Sequence, residues 1–293
     1  MASSEGEDSG IDLAAEGLSS DSDPPETLGE QIVRKTGWKR CESDPEQDVS
    51  ARPMLGAATH LPKEMLALLP FILFIFDQTV TSSCVGQAIG NAIEIRLRAL
   101  GMALVETVSR MAIYTWARMR EERNRALHDD GCNPRDAILS IGSDGVPKEH
   151  DWPFDPKHIN DALPWDVEQQ ASAGRIDAHY WIDSDDIARV HDIMNALVQL
   201  YPVVFGTFVD TAYMNLTEAQ ALAGVTKMNL ADARGGDHMQ CIVGYRTNAD
   251  GSVSFLVLNS WGSGWGWNGC AWVHQDVIMS KASGNFAVMQ VSQ

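Results

Sequence analysis

The sequence predicts an α+β fold, with a helical half followed by a β-rich half. Wide apolar stripes at helical spacing fall between residues 84 and 141. Short apolar and β-branched runs begin only at residue 202, and the turn Asn248-Ala249-Asp250-Gly251 joins two of them as a hairpin. Helices first and strands later is the order expected of two segregated layers rather than of alternating βαβ units. With 293 residues and a hydrophobic fraction of 44%, the chain can bury a large core as one large domain or two small ones.

Residues 1–50 differ from the rest. Nine acidic side chains, from Glu5 to Glu30, precede the first basic one, Arg34, and Ser, Gly and Pro fill the gaps. Such a segment buries too little apolar area to offset its ordering entropy, so it is expected to be disordered or ordered by a protein partner. Ile32-Val33 and Trp38-Lys39-Arg40 form the one cluster suited to docking. The folded domain is expected over 51–293, with a helical lobe at about 84–165 and a β lobe at about 170–293.

In the helical lobe, Val85, Ala88, Ile89, Ala92, Ile93, Ile95 and Leu97 make one apolar face from Cys84 to Leu100, with Ser82 or Ser83 as cap and Gly101 as stop. A second helix, about 106–128, carries Met111, Tyr114, Thr115, Arg118 and Met119, and its charge run from Arg118 to Arg125 is expected to face solvent. Asn133 caps a third, with Pro134 at its first position. A later helix, 184–201, turns Ile187, Val190, Ile193, Met194 and Leu197 inward. Strands are expected at 202–209, 239–245, 253–259 and 270–274.

Composition removes several function classes. The net charge of −18 would repel a phosphate backbone, so nucleic acid is not an expected partner. The five cysteines, Cys41, Cys84, Cys132, Cys241 and Cys270, are scattered, odd in number and without a CxxC pair. Neither a zinc site nor a disulfide scaffold is expected, and no metal or cofactor is implied. No basic-then-apolar leader opens the chain, and the apolar run from Met65 to Phe76, broken by Pro70, is too short to cross a bilayer. A cytoplasmic or particle-associated protein is expected.

Three local signatures carry chemistry. They are Asp77-Gln78-Thr79-Val80-Thr81-Ser82-Ser83-Cys84, then Gly235-Gly236-Asp237-His238, then Asn259-Ser260-Trp261-Gly262-Ser263-Gly264-Trp265-Gly266. A cysteine at a helix N-terminus can be held as a thiolate, and a downstream histidine and asparagine complete a thiol nucleophile machine.

The glutamine six residues before a helix-starting cysteine, the histidine opening a strand that ends in Gly244-Tyr245, and the Asn-Ser-Trp-Gly stretch resemble the papain family of cysteine peptidases. Asp77-Gln78 resembles its bacterial and viral members most. The resemblance spans about 61–278 and implies a two-lobe fold, helical then β-barrel-like, with an active-site cleft between. It implies Cys84 as nucleophile, His238 as proton carrier, Asn259 as the acceptor that orients His238, and Gln78 as an oxyanion donor. Trp261 would shield the His238–Asn259 bond, and Trp261 and Gly131 are the candidate substrate contacts. The implied activity is that of an endopeptidase acting on polypeptide through an acyl-enzyme. A catalytically weak or inactive papain-fold component of an assembly such as a virion, docked through its acidic N-terminal segment, is the alternative.

The chain departs from the family pattern in places. Thr79 stands where glycine is usual, and a β-branched residue is strained there if φ is positive. Val85 replaces an aromatic, Gly131 stands for a glycine pair, and the usual loop disulfide has no evident partner. The segment before the domain is too short and acidic to resemble the long helical inhibitory prodomain of cathepsins, so control by such a prodomain is not expected.

Overall fold

The stripe from Val85 to Leu97 becomes the central helix, buried on almost every side. The computed structural model describes residues 19–20, 34–56, 60–102, 107–122, 127–171 and 176–291. Ahead of the central helix lie short elements: strand β1 (Ser19–Ser20), helix α1 (Ala51–Leu55), strand β2 (Glu64–Met65) and strand β3 (Phe74–Ile75). The central helix is α2 (Cys84–Ala99), followed by α3 (Arg110–Glu122), α4 (Pro134–Asp144) and the short α5 (Trp165–Gln170). The Asn133 side chain accepts from the Asp136 amide at 2.9 Å and caps α4 as expected.

The second half contains β4 (Ile176–Trp181), α6 (Asp186–Val198), β5 (Val203–Val209), α7 (Thr211–Met214), α8 (Glu218–Ala223), β6 (Gly236–Thr247), β7 (Val253–Leu258), β8 (Cys270–His274), α9 (Gln275–Met279) and β9 (Ser283–Val291). The main sheet runs β4-β9-β5-β6-β7-β8 with antiparallel neighbours, and β2 joins the far end of β6. The fold is α+β. The barrel-like lobe expected from the resemblance is corrected to an open sheet, because β4 and β8 end the order without pairing to each other. The apolar core lies between this sheet and α2, where Ile89, Ile93, Phe205, Tyr245 and Phe255 are fully buried. A second small core, Ala112, Trp116, Leu163 and Val167, closes the far side of α3.

Four expectations change. Residues 34–50 pack on the domain instead of standing apart: Trp38 bridges Cys132, Ser50 bridges Trp181, and Arg135 clasps Asp48. Ile32, Val33 and all nine acidic residues from Glu5 to Glu30 lie outside the described residues. Arg118 does not face solvent. It is fully buried, stacked 3.9 Å from the Tyr114 ring centroid, and it donates to the carbonyls of His128 and Ile159. Ile187 is half exposed, since α6 begins only at Asp186 and its first turn overhangs the core. Ser83 occupies the α2 N-cap position without capping it; its hydroxyl accepts from Gln87 Nε2 at 3.1 Å instead. No described helix is long and apolar enough to cross a membrane.

Candidate functional site

The site forms where the N-terminus of α2 meets the first residues of β6. Cys84 opens α2, and His238 is the third residue of β6. The backbone amide of Met239, next to His238, points at the Cys84 thiol. Asn259 follows the last residue of β7, beside β6, and its Oδ1 lies 2.8 Å from His238 Nε2. That oxygen also accepts the Ser260 amide at 2.7 Å, which identifies it as the carboxamide oxygen. His238 therefore donates from Nε2 and carries its lone pair on Nδ1, a buried atom without a hydrogen-bond partner. Trp261 stacks on the imidazole with centroids 4.3 Å apart and planes 17° apart. It keeps water off the His238–Asn259 bond.

Gln78 is locked by its own loop. Its amide donates to the Ser260 carbonyl at 2.9 Å, and its Oε1 accepts from the Ser260 hydroxyl at 2.8 Å. The carboxamide nitrogen is thereby aimed in a fixed direction. One hydrogen goes to the Thr81 carbonyl at 2.8 Å and the other to the Lys35 carbonyl at 3.1 Å. Thr79 has φ +52°, the left-handed conformation that makes glycine usual here. Its amide is tied to Asp77 Oδ1 at 2.7 Å, while its hydroxyl is buried without a partner. Thr79→Gly is expected to stabilise the fold by about 1 kcal/mol, read as a rise in the urea midpoint with unchanged slope.

A segment that sequence reasoning placed outside the domain fills the cleft. Residues 34–41 run as an extended strap between Cys132 on one side and Asp237 on the other. The Cys132 amide donates to the Gly37 carbonyl and the Lys39 amide to the Cys132 carbonyl, both at 3.0 Å. The amides of Gly37 and Trp38 donate to the Asp237 carbonyl at 3.1 and 3.0 Å. The fit is close on both sides of Gly37: a Cβ there would lie 2.0 Å from the Ser82 carbonyl oxygen, and one on Gly131 would lie 2.1 Å from the Gly37 oxygen. Gly131, at φ +90°, thus faces the strap, but the backbone of Cys132 makes the ladder bonds. Tyr114 and Arg118 hold this edge: the Gly131 amide donates to the Tyr114 hydroxyl, and Arg118 fixes the His128 carbonyl. At the other end of the strap, Arg34 lies 5.2 Å from the Trp261 ring centroid and donates to the carbonyls of Met214 and Trp261.

Enclosure sets the charges. Burial pushes the Cys84 thiol up to about 12, against the pull of the Met239 and Gly37 amides. Burial pushes His238 down to about 4, against its bond to Asn259 and with a further push from Arg34. Under the strap the pair is therefore neutral thiol and neutral imidazole. The Gly37 N–H of the strap, which donates to the Asp237 carbonyl, also lies beside the sulfur. Among the described residues, no group of three or more His, Cys, Asp or Glu side chains converges as a metal site.

All four residues read from the motifs thus come together, with Trp261 on the imidazole. Sequence reading missed the strap, the Cys132 and Asp237 backbone groups, and Ser260 as the lock on Gln78. One signal was legible: Trp38 is the only aromatic residue in the first 50.

Comparisons with known proteins bear on the family and the fold. A family model described as papain family cysteine protease matches residues 111–289. That match begins beyond Gln78 and Cys84, so the place of those two rests on the motif and the geometry. An uncharacterized peptidase C1-like protein of Acanthamoeba polyphaga mimivirus is 31% identical over 211 residues, covering 70% of this chain; the chain spans only 65% of that relative. Among solved structures, xylellain, a cysteine protease from Xylella fastidiosa, superposes with a TM-score of 0.70 at 21% identity, over 92% of this chain and 100% of its own. The proCathepsin B S9 of Trypanosoma congolense does so with 0.66 at 16%, over 88% and 87%. At these identities the two structures speak for the fold.

Proposed function

The chain belongs to the papain family of cysteine proteases, and we propose that it is an endopeptidase held latent by its own residues 34–41. The observation that carries this reading is the strap itself. An extended polypeptide lies in the cleft, held through backbone groups on both sides, with a carbonyl oxygen on Gln78 Nε2 beside Cys84 and His238.

The mechanism follows from the geometry once the strap leaves. Water and substrate reach the site, the imidazole Nδ1 takes the Cys84 proton, and the resulting thiolate is stabilised by the N-terminus of α2, which no side chain caps. The thiolate attacks the scissile carbonyl carbon, and the oxygen takes up the negative charge where the Lys35 carbonyl now sits. The Gln78 Nε2 hydrogen and the backbone N–H of Cys84 receive that charge. His238 returns its proton to the leaving amine, and the acyl group stays on sulfur. Water, deprotonated by the same imidazole, then releases the acid. Asn259 and Trp261 hold the ring in one orientation throughout.

Gln78→Ala tests the oxyanion assignment. In strap-released enzyme it is expected to lower kcat by about 10²–10³ with little change in KM, because the donor acts on charge that develops only in the transition state. Loss confined to KM would mean that Gln78 merely binds substrate. The whole reading is tested by an irreversible epoxide thiol probe. Strap-released protein should label at Cys84 ahead of the other four cysteines, and His238→Ala should remove that selectivity.

A further inference from the structure

Asp129 lies against the loop that leads into Cys84, and no step of the mechanism above uses it. Its side chain is 12% exposed. One carboxylate oxygen, Oδ1, accepts the Ser82 amide at 2.8 Å and the Tyr114 hydroxyl at 3.0 Å. The Ser82 hydroxyl donates back to the Asp129 carbonyl at 3.1 Å, so backbone and side chain tie the two residues together. The other oxygen, Oδ2, meets the Lys35 ammonium of the strap at 3.1 Å. Tyr114 is a fixed post for this carboxylate. It is fully buried on α3 with Arg118 stacked on its ring. Its hydroxyl oxygen accepts the Gly131 amide, and its one hydrogen goes to Asp129. Ser82 belongs to a loop closed on itself. The Thr81 amide and hydroxyl donate to the Gln78 carbonyl at 3.1 and 2.6 Å, and the Gln78 carboxamide returns a bond to the Thr81 carbonyl at 2.8 Å. The Gln78 end of the loop is held from outside by Ser260. At the Cys84 end Ser83 does not cap α2, and the outside hold is the bond from Ser82 to Asp129.

We propose that Asp129 is a positioning residue for the oxyanion site: acting through Ser82, it keeps the Cys84 N–H in register with the Gln78 carboxamide. The proposal rests on the peptidase reading given above, in which those two groups share the developing charge. Each donor then has its own anchor, Ser260 for Gln78 and Asp129 for Cys84. Departure of the strap takes Lys35 from Oδ2 and leaves both bonds on Oδ1, so the hold persists in the open enzyme. Loss of the carboxylate leaves the Ser82 amide and the Tyr114 hydroxyl without their acceptor, and the turn before Cys84 shifts. A catalytic constellation is accurate only as far as the groups behind it are locked, and a small displacement of an oxyanion donor is felt in the transition state.

The test uses the Gly37→Val protein, in which the strap is displaced, as parent. Asp129→Ala should lower kcat toward peptide by about ten- to hundredfold with KM nearly unchanged. Asp129→Asn keeps an acceptor for Ser82 and Tyr114 and should stay within about threefold of the parent. Tyr114→Phe, which removes the post and leaves the carboxylate, should lose about three- to tenfold in kcat. A second readout isolates the oxyanion site. A peptide aldehyde adds reversibly to Cys84: the S–C bond forms, the C=O π bond breaks, and the thiol proton passes to the aldehyde oxygen, which takes the oxyanion's place. Iodoacetamide forms a thioether with loss of iodide and a proton, and leaves no oxygen on the attacked carbon. Asp129→Ala should weaken aldehyde binding by about tenfold or more and leave the iodoacetamide rate unchanged. A fault that displaced Cys84 itself would slow both reagents. Such a parallel loss, a loss confined to KM, or equal losses in the Asn and Ala variants would overturn the proposal. Weaker aldehyde binding in Asp129→Ala, with a parent that cleaves no peptide, would uphold the positioning role and discard the peptidase reading. Cleavage by Asp129→Ala at the parent's rate would do the reverse.

Discussion

Gly37→Val in the full chain is expected to raise activity toward peptide substrate by about a hundredfold, with little change in the thermal midpoint of the domain. Glycine is required at 37 because the Ser82 carbonyl lies where a Cβ would be, and neither side can yield without moving the loop that carries Gln78 and Cys84. A latency of 99:1 needs only about 2.7 kcal/mol of preference for the closed form. Burial of Trp38 alone contributes on that order, and the ladder bonds to Cys132 and Asp237 add to it. The measurement is initial rate against the parent chain, followed by addition of a peptide of residues 34–41, which should inhibit the variant. An unchanged rate in a variant that binds this peptide would show that the strap does not limit activity.

The same opening should depend on pH. Closed, His238 is held down at about 4; released to solvent, it returns toward the ordinary 6.5. Between these values the open state binds more protons, so stability of the closed form falls as pH is lowered through that window. Opening in the parent chain should therefore quicken from about pH 6.5 down to about pH 4 and change no further through this group below it. The pH dependence of epoxide labelling at Cys84, compared between the parent and Gly37→Val, checks the sign. The variant should lack the rise.

Cys84→Ala and His238→Ala, each in the strap-released protein, are expected to lower kcat/KM by at least about 10⁴. The double variant should be no worse than either single one, because nucleophile and base act as one unit. The His238 variant leaves a thiol without a proton acceptor, and its residual rate should climb with pH as the thiolate forms unaided. A chain retained only to bind a partner would show no rate to lose. Independent, additive losses would mean that the two side chains do not form a pair.

The helices and strands that carry periodic apolar residues were legible because burial on one face repeats in the sequence. α2, β5, β6 and β7 lie within a few residues of expectation for that reason. β9 was not legible: Ser283-Gly284-Asn285 reads as a turn, and it becomes strand only because β4 and β5 lie on either side of it. Arg118 read as a solvated charge because nothing local shows that the His128 and Ile159 carbonyls fold back over it. The acidic composition of residues 1–50 reads as a segment without a core of its own, and nothing in it names the surface on which residues 34–50 pack.

The sequence by itself determined the chemistry available. Gln78, Cys84, His238 and Asn259 stand in short signatures whose turns and strand starts are local, so their residue types and order already supply the thiol, imidazole and carboxamides on which the proposed mechanism rests. It also foretold the strain at Thr79, since φ at that position is a property of one tight loop. Tertiary structure alone decided whether the site is open. The strap is held by contacts between residues about 90 to 250 positions apart, Gly37 with Cys132 and Asp237, Trp38 with Gly206 and Asn285. No periodicity records such contacts, because they depend on shape and backbone groups that every residue carries. Burial, rather than the identity of Cys84 and His238, favours the neutral form of both groups, and Gly37 and Arg34 of the strap are among the groups around them.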